Sequence, residues 1–306
     1  MTSYDLNGSM VQDVSVIIRS VSERTEKQCH EAVCAQVPEG HVRIVKERPF
    51  SNAVRATYRV GMEMGLKWTI GLDADVILTT RAIRQLVSFA NAQPAEVFEV
   101  QGRILDKLFC IPKSGGPHAY RTSLLDKAMA FIPEEGSSLR PESAAFVSMK
   151  KIGHPFVHGE QVFGVHDFEQ YYMDIYRKAF VHAHKFEKFR DVLLKSWKAM
   201  AETDPDYQVA IRGFLDGISH KGQVYINRDH FETSITRIKG LETFQEKQHI
   251  TDPLHATYAD HLIEGYKPDD DLKNFEIEMN PLLPLYRPRP NLVKAFLKKT
   301  WHYLNR

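Results

Sequence analysis

Residues 68–78 read WTIGLDADVIL, an apolar run that ends in Asp73-Ala74-Asp75 and resumes with Val76-Ile77-Leu78. A short run of this kind reads as a buried strand. In open α/β sheets ligands sit just beyond the carboxyl ends of such strands, where a carboxylate is held rigidly on one side and wetted on the other. Two hard anionic side chains there suit Mg²⁺ or Mn²⁺ bridging a diphosphate. The plainer reading has one Asp capping the next helix and the other solvated.

Working outward, short apolar runs alternate with helical patterns, the signature of a mostly parallel sheet covered by helices and hence of an α/β fold. Residues 14–18 are rich in β-branched side chains and read as a strand; 19–24 form a polar turn, and 23–36 a helix with Ser22 as its N-cap. A second strand is expected at 42–45. The helix at 52–65 places Val54, Tyr58 and Met62 on one face and stops at Gly65. After the 68–78 run come a helix at 79–92, a strand at 97–105 and a short one at 108–111. The loop Pro112-Lys113-Ser114-Gly115-Gly116-Pro117 either lets backbone approach a ligand or simply turns the chain. Helices at 118–131 and 146–152 follow, and a last strand at 161–165 ends at His166.

From about residue 168 the pattern changes. Residues 171–201 form a long helical stretch with aromatic and basic side chains interleaved, and 207–218 form another helix. The proline-rich segment 281–290 breaks regular structure before an amphipathic end, in which Leu292, Val293, Phe296, Leu297, Trp301 and Leu304 share a face and Lys294, Lys298, Lys299 and Arg306 lie off it. Residues 291–306 suit the surface of an anionic membrane, or a helix packed on its own domain. The expected division is therefore a catalytic domain over residues 1–170 and a helical extension over 171–306.

Composition narrows the class. The 306 residues are 43% hydrophobic, enough for one large core with an appended subdomain, and the net charge of +1 gives no case for a nucleic-acid partner. Cys29, Cys34 and Cys110 make neither a disulfide framework nor a metal spacing, and no run reaches the ~20 apolar residues a membrane span needs. The expected setting is the cytoplasm, with the inner face of the membrane open to the 291–306 segment. His154, His158, His166, His182 and His184 match no compact zinc pattern.

Four stretches, in order, resemble the GT-A class of nucleotide-sugar glycosyltransferases, especially family 2: Val14-Ser15-Val16-Ile17-Ile18-Arg19-Ser20 as the first strand; the helix and strand leading to Asp73-Ala74-Asp75; the segment GPHAYRTSLLD from Gly116; and Arg140-Pro141-Glu142-Ser143 with its following helix ending at Gly153. His166 falls where many members carry a histidine after the last strand. The resemblance covers roughly residues 14–167. Two departures stand out. The helix before the Asp-x-Asp offers Arg55 and Arg59 without the usual neighbouring Asn, and the acidic pair is reduced to Glu142, with Pro141 where the first acid stands.

The resemblance implies transfer of a sugar from a nucleotide diphosphate to a hydroxyl of a glycan or lipid-linked acceptor, with inversion, in surface polysaccharide or glycoconjugate synthesis. It implies Mn²⁺ or Mg²⁺ on Asp75, with Asp73 on the metal or the ribose and His166 completing the shell. Glu142 is the implied base, with Asp167 and Glu169 in reserve and Asp167 having a plainer reading as a helix cap. Ser20, Glu23 and Glu47 are expected near the nucleoside and Arg55 near a phosphate. Two alternatives stay open: Asp73-x-Asp75 also resembles the first motif of haloacid-dehalogenase phosphatases, and a GT-A-like domain without its base would bind sugar nucleotides without turning them over.

Overall fold

The computed structural model describes residues 10–231, 245–267 and 270–279. Three strands run side by side and parallel: β1 (Val14–Arg19) between β2 (Val42–Val45) and β3 (Trp68–Asp73). All six β1 side chains are buried, as a strand covered on both faces requires. The crossovers are α1 (Glu26–Cys34) and α2 (Phe50–Met64), the latter ended by Gly65 at φ +66°. The expected Ser22 cap is not used: Ser22 lies at φ +69° and the helix begins at Glu26.

Beyond the Asp-x-Asp come β4 (Val76–Leu78), α3 (Ala82–Asn91), β5 (Glu99–Asp106), β6 (Ile111–Ser114) and β7 (His118–Arg121). After α4 (Leu125–Met129) and α5 (Pro141–Lys151), β8 (Phe156–His166) completes an eight-stranded sheet in the order β2-β1-β3-β7-β5-β8-β4, with β6 on β5. Strands β2, β1, β3, β5 and β8 point one way and β7, β4 and β6 the other, so the sheet is mostly parallel.

Several expectations change here. The helix expected over 118–131 is instead β7, a 3₁₀ turn at Thr122–Leu124 and the short α4. Backbone pairing with β3 and β5 wins, and Tyr120 is drawn into a ring cluster with Tyr58 and Phe98. The strand expected at 108–111 starts only at Ile111, because Cys110 turns the chain at φ +59°. Half of the 112–117 loop is therefore strand, and the turn is made by Gly115 and Gly116, both at positive φ. The last strand begins at Phe156 rather than 161.

The long helix expected over 171–201 is two, α6 (Tyr172–Lys185) and α7 (Arg190–Met200), separated by a 3₁₀ turn at Glu187–Phe189. With α8 (Pro205–Ser219) they bury Ile175, Trp197 and Phe214 against Leu108, Phe109 and Ile111. This fixes α6 over one rim of the sheet. The contact between α6 and α8 is close: a Cβ at Gly213 would stand 2.4 Å from the Tyr176 carbonyl oxygen. Helices α9 (Tyr258–Gly265) and α10 (Asp270–Met279) follow. Among the described residues no helix is long and apolar enough to cross a membrane; residues 281–306, with the proline-rich segment and the amphipathic end, lie outside the described residues.

Gly164 makes a tight strand contact. A Cβ there would stand 2.6 Å from the Ile77 carbonyl oxygen, in the pairing of β8 with β4. Gly164→Ala should cost about 1–3 kcal/mol of stability, as overpacking does, read as a lower urea midpoint at unchanged m-value.

Candidate active-site cleft

The five co-directional strands end at Arg19, Val45, Asp73, Asp106 and His166, and β7 begins on the same rim at His118. Four of these strand ends are charged or ionisable, where a closed core would have apolar ones. Between this rim, α5 and α6 lies a cleft of about 530 Å³. It has the size and position of a ligand site at the carboxyl edge of an α/β sheet.

Strand pairing assembles one cluster. In the antiparallel register Val76 faces His166, and the Asp167 amide donates to the Asp75 carbonyl oxygen at 3.4 Å, so Asp75, His166 and Asp167 meet although distant in sequence. Their ligand atoms lie within 4.8 Å of one another. The parallel register of β5 with β8 sets Asp106, fully buried, beside His166 Nδ1 at 2.8 Å. That contact turns Nε2 toward Asp75 Oδ1, 3.4 Å away. Asp167 Oδ2 lies 3.3 Å from Nδ1, on the Asp106 side of the ring. A carboxylate behind a histidine whose other nitrogen faces an acid is a common support for a metal ligand. The donor set fits a hard divalent cation, and Asp75 Oδ1 and Asp167 Oδ2 are buried without hydrogen-bond partners among the described residues.

The charges here are strongly coupled. Burial pushes the His166 pKa down, but the carboxylates of Asp167, Asp75 and Asp106 raise it to about 10 against the opposing Lys178. Burial would raise Asp75; Lys178 and His166 more than reverse it and hold the carboxyl well below its ordinary range. Any cation taken up through His166 Nε2 must release the imidazolium proton. Because Asp106 holds the ring, Asp106→Asn is expected to weaken divalent-ion binding by about 10–100-fold, measured by Mn²⁺ titration.

A second network lines the same cleft. Arg19 Nε lies 2.8 Å from Asp73 Oδ1, and its Nη1 donates to Glu142 Oε1 at 2.5 Å. Glu142 sits in the first turn of α5, behind Pro141 at the helix start, and the Tyr120 hydroxyl also donates to its Oε1. Its Oε2 has His118 Nε2 at 3.7 Å, beyond hydrogen-bond length. Burial would raise the Glu142 pKa, but Arg19 and His118 bring it down to about 2.

The cleft wall made by α6 is basic. Lys178, Val181, His182 and Lys185 recur at helical spacing on one side of α6 and line the cavity, with Arg177 beside them and Arg140 and Arg228 nearby. Lys178 Nζ contacts Asp75 and Asp167. Lys185 Nζ has no hydrogen bond or ion pair among the described residues, and burial together with Arg140, Arg177 and Lys113 lowers its pKa to about 7.

The residues singled out from sequence are thus distributed. Ser20, Glu23, Glu47, Asp73, Asp75, Glu142 and His166 all line the cleft. Ser20 Oγ donates to Glu23 Oε2 at 2.8 Å, and Glu23 is pushed up to about 7 by burial and Asp75. Asp73 does not join Asp75; it faces Arg19. Asp167 joins the Asp75 cluster at φ +66° and does not cap α6, which starts at Tyr172. Arg55 lies elsewhere: its guanidinium donates to the Ile132 carbonyl and to Glu134, because the buried face of α2 turns it away from the rim. Sequence reading missed Arg19, Asp106, His118, Lys178 and Lys185. The one available signal was the basic spacing along 178–185.

No protein-family model matches the chain, and no curated protein matches it by sequence. Among solved structures it is similar to the mannosyltransferase PcManGT from Pyrobaculum calidifontis in complex with GDP-Man and Mn²⁺, at 13% identity over 76% of this chain and 82% of that one, with a TM-score of 0.40. It is also similar to S. aureus TarS 1–349, at 10% identity over 76% and 74% with a TM-score of 0.36. A third is a CMP:2-keto-3-deoxy-manno-octonic acid synthetase complexed with CTP, at 11% identity over 50% and 91% with a TM-score of 0.35. Likeness at this level assigns no residue and no activity. The functional reading rests on the cleft.

Proposed function

We propose that the cleft binds a nucleotide-diphosphate sugar and transfers its glycosyl group to a hydroxyl of a glycan or glycolipid, as a GT-A glycosyltransferase. The observation that carries this reading is the content of one cavity: a cluster of Asp75, His166 and Asp167 beside the basic side of α6, and a separate carboxylate, Glu142, held by Arg19 and Tyr120. A diphosphate needs the first two and an acceptor hydroxyl needs the third. Ser20, Glu23 and Glu47, after β1 and β2, are the proposed nucleoside contacts.

In the proposed reaction the bond from the anomeric carbon to the diphosphate oxygen breaks, and a bond from the acceptor oxygen to that carbon forms. Glu142 Oε2 takes the hydroxyl proton. A carboxylate at about 2 is a weak base at rest, but an oxygen attacking carbon becomes strongly acidic as the bond forms, so a weak base suffices. The diphosphate departs with its electron pair toward Lys185 and Arg177, whose charge it meets in a partly dry cavity. A divalent cation, Mn²⁺ or Mg²⁺, held by Asp75, Asp167 and His166 would supply further charge stabilisation to the leaving diphosphate. Inversion, synthesis of a surface polysaccharide, and contact of residues 291–306 with the inner face of the membrane extend the same reading.

The phosphatase alternative is not favoured, since Asp73, its nucleophile, is paired with Arg19. The test is calorimetric titration with UDP, GDP, CDP and CMP, each with Mn²⁺ and with EDTA. Binding of one nucleotide diphosphate is expected; binding of none of the four overturns the reading.

The anion site adds a pH dependence. Lys185 binds a diphosphate only when charged, and the bound anion raises its pKa above about 7. Affinity should therefore strengthen as pH falls from 8.5 to 7, where the diphosphate keeps its charge. In Lys185→Arg, which stays charged throughout, this slope should flatten; an equal slope in both proteins counts against the site.

A further inference from the structure

The side chain that closes the Asp75, His166 and Asp167 cluster is Lys178. Its Nζ contacts Asp75 Oδ2 and Asp167 Oδ1 and lies 3.4 Å from His166 Nε2. These are the three residues whose ligand atoms converge as a cation site. An ammonium and a divalent ion are both drawn to the same two carboxylates, Asp75 and Asp167, and their like charges repel each other there. They cannot occupy one position together.

Two further observations bear on what the lysine does. Asp75 Oδ1 and Asp167 Oδ2 are buried without a well-formed hydrogen bond, beside His166 Nε2 at 3.4 Å and Nδ1 at 3.3 Å, so the ammonium satisfies one oxygen of each carboxylate and the other faces only the ring. Lys178 also lines the cavity, so the four-carbon stem has open space to swing into while its helix stays fixed by the close contact with α8.

We propose that Lys178 is the resident counter-cation of this cluster, competing with a divalent ion for Asp75 and Asp167, and that uptake of the ion turns the ammonium out into the cleft. The inference rests on the reading of Asp75, His166 and Asp167 as cation ligands, and not on the sugar or the nucleotide. It has two consequences. The resting protein holds its acids neutralised and binds metal weakly, and the displaced ammonium arrives on the side of the cavity where Arg177 and Lys185 stand.

The experiment is Mn²⁺ binding without nucleotide, followed by electron paramagnetic resonance of the free ion, in the wild-type chain and in Lys178→Met. The variant is expected to bind Mn²⁺ tighter by roughly 5- to 150-fold, the ordinary size of such a coupling. Equal or weaker binding by a folded Lys178→Met protein overturns the proposal, as does absence of binding to both. A wild-type measurement guards against misfolding of the variant: acetylation of Lys178 by a water-soluble reagent, read by peptide mass spectrometry, should rise when Mn²⁺ is added. Labelling that stays unchanged at millimolar Mn²⁺ overturns it equally. Should both Mn²⁺ results come out as expected while no nucleotide diphosphate binds, the transferase reading falls and this one stands.

Discussion

Asp75→Ala is expected to lower glycosyl transfer by about 10²–10⁴-fold, the several kcal/mol that a leaving-group cation supplies. It should also abolish the part of nucleotide-diphosphate binding that EDTA removes. The argument is geometric. Asp75, just before β4, faces both His166 at the end of β8 and Lys178 on α6, and shares these two cations with Asp167. Losing its carboxylate leaves Asp167 to carry both cations, and the cluster has no third acid of the same reach among the described residues. The measurement is kcat against a panel of sugar nucleotides, paired with calorimetry in Mn²⁺ and in EDTA. Retention of activity within a factor of about ten would remove the leaving-group role from this residue.

Glu142→Gln is the second large effect, a fall in kcat of about 10²–10⁴-fold with nucleotide-diphosphate affinity unchanged. The substitution is nearly silent structurally. Arg19 Nη1 and the Tyr120 hydroxyl both donate to Oε1, and a glutamine carbonyl oxygen accepts from both in the same place. What changes is Oε2, the atom free to take a proton. Because Arg19 and His118 hold the carboxyl at about 2, Glu142 stays ionised at any pH where the enzyme is assayed. Activity between pH 7 and 5 should therefore show no loss attributable to this group. Parallel losses in kcat and in donor affinity would instead assign Glu142 to bracing Arg19.

The same residues show where sequence reading stops. The strand at 68–73 was legible because burial on both faces leaves a continuous apolar run, and its direction followed from the strand and helix units before it. The helix expected at 146–152 exists but begins five residues earlier, at Pro141, so Glu142 lies in its first turn and not in a loop. β7 was not legible, because four residues alternating once or twice carry too little pattern to outweigh the helical spacing that follows. Arg55 was misplaced for a related reason: periodicity shows which face of α2 is buried but not where an exposed guanidinium finds its acceptor.

By itself the sequence determined the α/β alternation, the acids at the end of the third strand and the rim on which ligands lie, all of them consequences of local burial and of chain direction. Only the tertiary structure decided that Asp75 pairs with Asp167 and His166 rather than with Asp73, that Asp106 stands behind the imidazole, and that Lys178 closes the cluster. Those contacts depend on the register of β4 and β5 against β8 and on the seat of α6 against α8. A one-residue slip in register sends every side chain to the other face, and that is settled by packing between segments far apart in the chain.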